Sequence, residues 1–137
     1  MSMRLNPYIQ FGTNTAEALE FYRSVFGGDV VLSHFKDYGT EGADGDLVMH
    51  GQLETPAGFT IMAADSPSFM SGPATESNIT VSLSGDDAET MRGYWQGLSD
   101  GATVGTPLEK QMWGDEFGQL TDKYGIGWLV NISAQQP

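Results

Sequence analysis

The side chain best suited to chemistry is the imidazole of His50, because histidine exchanges protons near neutral pH and can act as a general base. Polar and apolar residues alternate around it, which places His50 on the same side of a predicted strand as Gln52 and Glu54. These neighbours could orient a substrate through hydrogen bonds. A neutral histidine that only bridges strands would show the same pattern, so both interpretations remain open.

Three further side chains could complete a site, and one of them also has a structural interpretation. Asp65 follows a predicted strand and precedes Ser66, where a carboxylate could meet a ligand donor or simply cap a turn. Trp113 could stack on a flat ligand, with Phe117 close to it in sequence. Trp128 shares its strand side with apolar residues, and we expect it in the core instead.

Several classes of chemistry are excluded by composition and spacing. The chain has no cysteine, so it can form neither a disulfide nor a thiolate metal site. It has 18 acidic and 6 basic residues, and a net charge of -12 disfavours nucleic-acid and anionic membrane partners. No apolar run is long enough to span a bilayer and no signal segment is apparent, so we expect a cytoplasmic protein.

Two helices must position these residues. The first is predicted to begin at Asn14-Thr15, which are good capping residues, and to end at Gly27-Gly28. The second is predicted to begin at Asp86-Asp87 and to close at Gly101. Each helix carries one apolar stripe with helical spacing, which predicts that it packs against a sheet.

Strand signals surround each helix and give the order β-α-β-β-β twice. The predicted strands cover residues 7–11, 30–36, 47–54, 59–64, 78–83, 103–108, 110–120 and 126–132. The halves match at an offset of about 72 residues, which pairs Ile9 with Val81, Tyr22 with Tyr94, and Phe59 with Asn131. We therefore predict one α+β domain over 1–137, with module one at 1–65, a linker at 66–77 and module two at 78–137.

Strand alternation also predicts a shared surface. In the strand 78–83, Ile79, Val81 and Leu83 form an apolar side, and the opposite side is polar. If the two half-sheets curl toward each other, their more polar sides line a common cleft. The residues expected to line this ligand-binding cleft are Tyr8, Gln10, Gln52, Met62, Asp65, Asn78, Trp113, Phe117 and Leu129.

Six segments together resemble the PhnB-like branch of the vicinal oxygen chelate (glyoxalase/bleomycin resistance/dioxygenase) superfamily. They are residues 7–11, 16–22, 25–28, 49–53, 61–65 and, most specifically, 113–128. The resemblance implies two βαβββ modules in a U-shaped mixed sheet around a cleft, and a homodimer. Members are often labelled 3-demethylubiquinone methyltransferase, but this chain has no Gly-rich dinucleotide-type loop, and we do not expect methyl transfer.

The resemblance also implies where a metal would bind. Metal-dependent relatives take one His, Glu or Gln ligand from the first and fourth strands of each module. Those positions fall near Tyr8, Met62, Asn78 and Leu129 here, and none is a histidine or a glutamate. We therefore expect no divalent metal cofactor.

Two functional hypotheses follow. The first is a dimeric protein that binds a small aromatic or apolar molecule without the usual metal. The alternative is a metal-independent or variant-metal lyase, isomerase or dioxygenase in which His50 is the base and Asn78, Gln10 or Gln52 orients the substrate.

Overall fold

The computed structural model describes residues 3–67 and 78–134, which fall into two compact units. The first unit covers Met1–Glu76 and the second covers Ser77–Pro137. The first unit contains β1 (Tyr8–Gln10), α1 (Thr15–Phe26), β2 (Asp29–His34), β3 (Val48–Glu54) and β4 (Thr60–Ala64), with short 3-10 turns at Phe35–Tyr38 and Ala43–Asp46. The second contains β5 (Val81–Gly85), α2 (Ala88–Leu98), β6 (Thr103–Lys110), β7 (Glu116–Thr121) and β8 (Gly127–Ile132).

Both units have the same sheet topology, which confirms the predicted α+β fold and its duplicated β-α-β-β-β order. The strand order is β1-β4-β3-β2 in one sheet and β5-β8-β7-β6 in the other. In each sheet the first strand runs parallel to the fourth, and the remaining pairs are antiparallel. The two sheets are therefore mixed. The helix allows the second strand of each unit to run in the same direction as the first, so that after two antiparallel turns the fourth strand is parallel to the first.

Each helix covers one side of its own sheet. The apolar stripe of α1 buries Ala18, Leu19, Tyr22 and Phe26, which face the side of the sheet that carries Leu53. In the second unit α2 buries Met91 and Leu98, and the sheet contributes Leu120, Trp128, Val130 and Ile132. Trp128 is thus a core residue, as its strand alternation predicted.

Strand register corrects the predicted offset between the halves. In the first sheet, Ile9 and Gly51 both lie opposite Ala63. In the second sheet, Leu83 and Gly118 both lie opposite Val130, so Ile9 corresponds to Leu83 and Gly51 to Gly118. The offset is therefore 83 − 9 = 74 residues at the first strand but 118 − 51 = 67 at the third. A single value of 72 was wrong because the first unit has a longer β2–β3 connection, which contains the 3-10 turns.

Two predicted boundaries are also corrected. The strand expected at 78–83 is β5 and begins at Val81, and Ile79, which we placed on its apolar side, is 75% exposed. Helix α2 ends at Leu98 rather than at Gly101. Most of the predicted linker, 68–77, lies outside the described residues. Among the residues described, no helix has the length and apolar character needed to cross a membrane.

Candidate functional site

The predicted polar side of β3 lies on the face of the first sheet that is turned away from α1. A Cβ added at Gly51 would lie 2.6 Å from Leu19 of α1, so the odd-numbered positions of β3 face the helix. The even-numbered positions His50, Gln52 and Glu54 therefore face the other way. We call this side, with Tyr8 of β1, the polar face of the first unit.

Register explains why residues from distant parts of the chain meet there. Tyr8 and Gln52 both lie directly opposite Met62, on either side of the intervening strand β4. The ring of Tyr8 extends across β4 toward β3, where its centroid is 5.6 Å from that of the His50 ring. Tyr8, Met62 and Gln52 thus form one row across the sheet, with His50 beside it.

Side chains on the polar face form a continuous chain of hydrogen bonds. The Tyr8 hydroxyl lies 3.1 Å from Nδ1 of His50, and Nε2 of His50 lies 3.2 Å from Oε1 of Gln52. The amide nitrogen of Gln52 donates to the Glu54 carboxylate. Only the Nε2–H form of a neutral His50 satisfies both contacts, because Oε1 of Gln52 can only accept. Nδ1 of His50 is therefore the acceptor of the Tyr8 O–H.

The two ends of this chain are electrostatically distinct. Hydrogen bonds from Arg4, then from Thr60 and Gln52, hold the pKa of Glu54 below its ordinary value. Burial raises the pKa of Tyr8, so its phenol stays protonated at neutral pH. The chain thus runs from a neutral donor at Tyr8 to an ionised acceptor at Glu54.

Two other predicted cleft residues lie on or beside the polar face. Met62 is half-buried and offers an apolar surface next to Tyr8. Gln10 donates from its amide to the carbonyl oxygen of Asp65 and to Oγ of Ser66, both at 3.0 Å. Gln10 therefore holds the chain segment after β4 in place, and its amide is already occupied.

Asp65 does not belong to the polar face, which corrects its inclusion among the cleft residues. Its side chain is buried, and its two oxygens accept backbone N–H bonds from Thr15 and Val48, each at 2.9 Å. These donors are the first residues of α1 and of β3. The geometry supports the capping interpretation, in which the carboxylate ties a helix start to a strand start.

In the second unit, the structure brings together only some of the predicted residues. Phe117 and Leu129 lie on the face turned away from α2, since their neighbour Gly118 faces Trp95 of that helix. Asn78 is exposed and precedes β5, so it is not the strand residue we predicted. Trp113 is 63% exposed and lies in the turn between β6 and β7.

The positions implied for a metal do not fit one. Register confirms that Tyr8 and Met62 are neighbours on β1 and β4, but Leu129 lies opposite Ser82 rather than Asn78. Tyrosine, thioether, hydroxyl and aliphatic side chains make a poor donor set for a hard divalent cation. Within 3–67 and 78–134, no three His, Cys, Asp or Glu residues are grouped so that they could hold a metal ion. The absence of a metal cofactor stays a prediction.

Sequence reasoning missed two parts of the site. Arg4 lies before β1 and pairs with Glu54 at 2.5 Å, although no local pattern singled it out. Tyr8 and His50 were both predicted near a ligand, but their mutual hydrogen bond depends on β4 lying between them. Strand alternation placed His50, Gln52 and Glu54 in one row, but it could not give the neighbour order of the strands.

Comparisons with known proteins agree with this architecture. A family model described as 3-demethylubiquinone-9 3-methyltransferase matches residues 3–131 of the chain. Protein YjdN of Escherichia coli (strain K12) is 25% identical over 147 residues, covering 98% of this chain and 99% of YjdN. The crystal structure of protein PA1353 from Pseudomonas aeruginosa has a TM-score of 0.84 and 27% identity, covering 98% of this chain and 100% of that one.

Two more distant structures share the fold. A putative 3-demethylubiquinone-9 3-methyltransferase, PhnB protein, from Bacillus cereus has a TM-score of 0.76 and 22% identity, covering 96% of this chain and 100% of that one. A glyoxalase/bleomycin resistance protein/dioxygenase family enzyme from Burkholderia phytofirmans PsJN has a TM-score of 0.58 and 14% identity, with coverage of 91% and 95%. The chain therefore belongs to the PhnB-like family whose model bears the 3-demethylubiquinone-9 3-methyltransferase description, with the glyoxalase/dioxygenase type of fold.

Proposed function

We propose that the protein binds a small organic molecule against the polar face of the first unit. The observation that carries this proposal is the hydrogen-bond chain from Tyr8 through His50 and Gln52 to Glu54. Such a chain fixes the orientation of the Tyr8 hydroxyl and the His50 ring before a ligand arrives, which lowers the entropy cost of binding.

The residues of the polar face suggest the kind of ligand. Tyr8 is 53% exposed and the adjacent Met62 is half-buried, so together they offer an apolar platform. The Tyr8 hydroxyl still has lone pairs after donating to His50, and can accept one hydrogen bond. A flat, largely apolar molecule with one polar hydrogen matches this combination.

A second candidate function is metal-independent acid–base catalysis, which the direction of the hydrogen-bond chain favours. A substrate proton would pass to the Tyr8 oxygen while the phenol proton moves to Nδ1 of His50. The imidazolium that forms would keep its Nε2–H bond to Gln52, which Glu54 orients. This assignment makes Tyr8 a relay and His50 the base.

The label of the family model does not support methyl transfer here. The described residues form two βαβββ units rather than a doubly wound parallel sheet with a Gly-rich turn, which is the arrangement that usually binds a nucleotide-like cofactor. We expect no change in protein stability when S-adenosylmethionine is added, because a bound cofactor would raise the melting temperature.

A ligand screen with matched histidine variants tests the proposal. Phenols and aromatic amides should be added to the isotope-labelled full chain, and amide shifts followed by NMR. We expect the shifts to centre on Tyr8, His50 and Met62, and the best binder to lose about tenfold in affinity in His50→Ala. His34→Ala is the control, since His34 ends β2 and contacts Asp37 rather than a member of this chain of bonds.

Unchanged affinity in His50→Ala, or shifts confined to other surfaces, would contradict the proposal. For any turnover that is found, Tyr8→Phe separates the two functions, because it removes the relay but keeps the aromatic platform. Loss of turnover with retained binding favours catalysis, and equal loss of both favours simple binding. The homodimer stays a prediction, which sedimentation equilibrium would test.

A further inference from the structure

The second unit contains an open groove whose described lining residues all belong to that unit. Its volume is about 520 Å³, which is within the usual range for small-molecule sites. The groove lies among the start of α2, the end of β6 and the residues after β8, and its lining includes Arg92, Lys110, Glu116 and Ser133.

The charged side chains of the groove are unusual for this acidic chain. Only 6 of its residues are Lys or Arg, against 18 Asp and Glu, yet two of the basic residues line this groove. Arg92 donates from Nε (3.0 Å) and Nη2 to the two carboxylate oxygens of Glu116. This bidentate pair occupies the only carboxylate among the described residues of the lining, and leaves the other N–H donors of Arg92 available.

Lys110 is the second cation of the groove. It lies directly opposite Glu116 in the β6–β7 pairing and acts on that carboxylate through its charge, whereas the hydrogen bonds to Glu116 come from Arg92. The nearby carboxylate of Asp115 is held by the Asn131 amide (3.1 Å) and the Ala134 N–H (2.9 Å). Among its described residues, the lining thus combines two cations and one carboxylate, in a chain of net charge -12.

We propose that this groove binds a small organic monocarboxylate. Lys110 supplies the charge, and the spare donors of Arg92 and the Ser133 hydroxyl can complete the hydrogen bonds to its two oxygens. Alanine and isoleucine side chains in the lining accommodate a short apolar body. A monoanion suits the groove better than a dianion, because the acidic remainder of the chain repels the second charge.

The test compares benzoate with benzamide, which has the same ring but no charge. Each is titrated into the isotope-labelled full chain, and amide shifts are followed by NMR. We expect saturable shifts near Lys110 and Ser133 with benzoate, and none there with benzamide. Lys110→Gln should weaken benzoate binding about tenfold. Lys36→Gln removes the same charge from the first unit and should leave the affinity unchanged.

A third variant acts in the opposite direction. Glu116→Gln releases the Arg92 guanidinium from its ion pair, and should tighten benzoate binding severalfold. Equal binding of benzamide, an unchanged affinity in Lys110→Gln, or weaker binding in Glu116→Gln would overturn the proposal. These outcomes concern the second unit only, so they leave the test of the first unit independent.

Discussion

The two units place different side chains on the same backbone plan. When β3 and β7 are aligned through Gly51 and Gly118, the positions on the sheet faces turned away from the helices correspond one to one. The corresponding pairs are Tyr8 and Ser82, His50 and Phe117, Gln52 and Gln119, and Glu54 and Thr121. Only the glutamine of the hydrogen-bond chain recurs in the second unit.

The helix-facing sides differ far less. Both sheets bury large apolar side chains under a helix, and each has a glycine, Gly51 or Gly118, at which an added Cβ would clash with a side chain of that helix. The packing of a helix on a sheet fixes the character of one side only. The other side can carry different residues in the two units, as where Phe117 in the second unit takes the place of His50 in the first.

The units also differ in how the start of each helix is capped, which gives the largest predicted effect. The side chain of the N-cap Asn14 makes no capping hydrogen bond, and the buried Asp65 instead accepts from the N–H groups of Thr15 and Val48. In α2 the N-cap Asp87 accepts from the N–H of Thr90 within its own first turn. Asp65→Ala should cost about 3 kcal/mol or more of unfolding free energy, because it leaves two buried N–H groups without acceptors.

Asp87→Ala is the matched variant, and should cost only about 1 kcal/mol, as for the loss of an exposed N-cap. Urea denaturation measures both changes in unfolding free energy. A cost for Asp87→Ala equal to that for Asp65→Ala would show that burial of the first carboxylate is not what matters.

The two equivalent glycines give the next largest effect. A Cβ at Gly118 would lie 2.7 Å from the Trp95 ring and 2.9 Å from the backbone of Leu108, and neither can move easily. At Gly51 the closest atom is a methyl carbon of Leu19, at 2.6 Å, which belongs to a flexible side chain. Gly118→Ala should therefore destabilise by about 2–3 kcal/mol and Gly51→Ala by about 1 kcal/mol.

Gly93→Ala provides the control for this comparison. A Cβ at Gly93 meets nothing within 4 Å, and the residue lies inside α2. This change should stabilise the protein by up to about 1 kcal/mol, because alanine is the better helix former. If Gly51→Ala proved more harmful than Gly118→Ala in thermal unfolding, the packing argument for the second unit would fail.

These contrasts show which features the sequence could predict. Residue alternation correctly placed Trp128 in the core and His50, Gln52 and Glu54 on one side of a strand. Those features depend on local periodicity, which is the same whatever the order of the strands in the sheet. The order of elements in each half was predictable for the same reason.

The failures came from non-local register. Asn78 was predicted to lie on the first strand of the second module, but β5 begins three residues later, and Ser82 lies opposite Leu129. Asp65 was placed with the cleft residues, although it points to the start of α1 and is buried. Neither result follows from periodicity, because a shift of register by a few residues leaves the local pattern almost unchanged.

Acid titration gives the smallest predicted difference between the units. Arg92 lowers the pKa of Glu116 from its ordinary 4.5, and Arg4, Thr60 and Gln52 together lower that of Glu54. Both carboxylates are more acidic in the folded state, so each stabilises the protein above its unfolded-state pKa. This contribution is lost as the pH falls through the folded-state value. Glu54→Gln and Glu116→Gln should each flatten the fall in melting temperature below about pH 5.

Salt distinguishes the two carboxylates. The strongest influence on Glu116 is one exposed ion pair, which added salt screens, whereas Glu54 also accepts from two uncharged donors. The effect of Glu116→Gln on the acid transition should therefore shrink in high salt more than that of Glu54→Gln. Thermal melts at low and high salt measure this difference. Equal salt sensitivity would mean that the neutral donors Thr60 and Gln52 do not lower the pKa of Glu54.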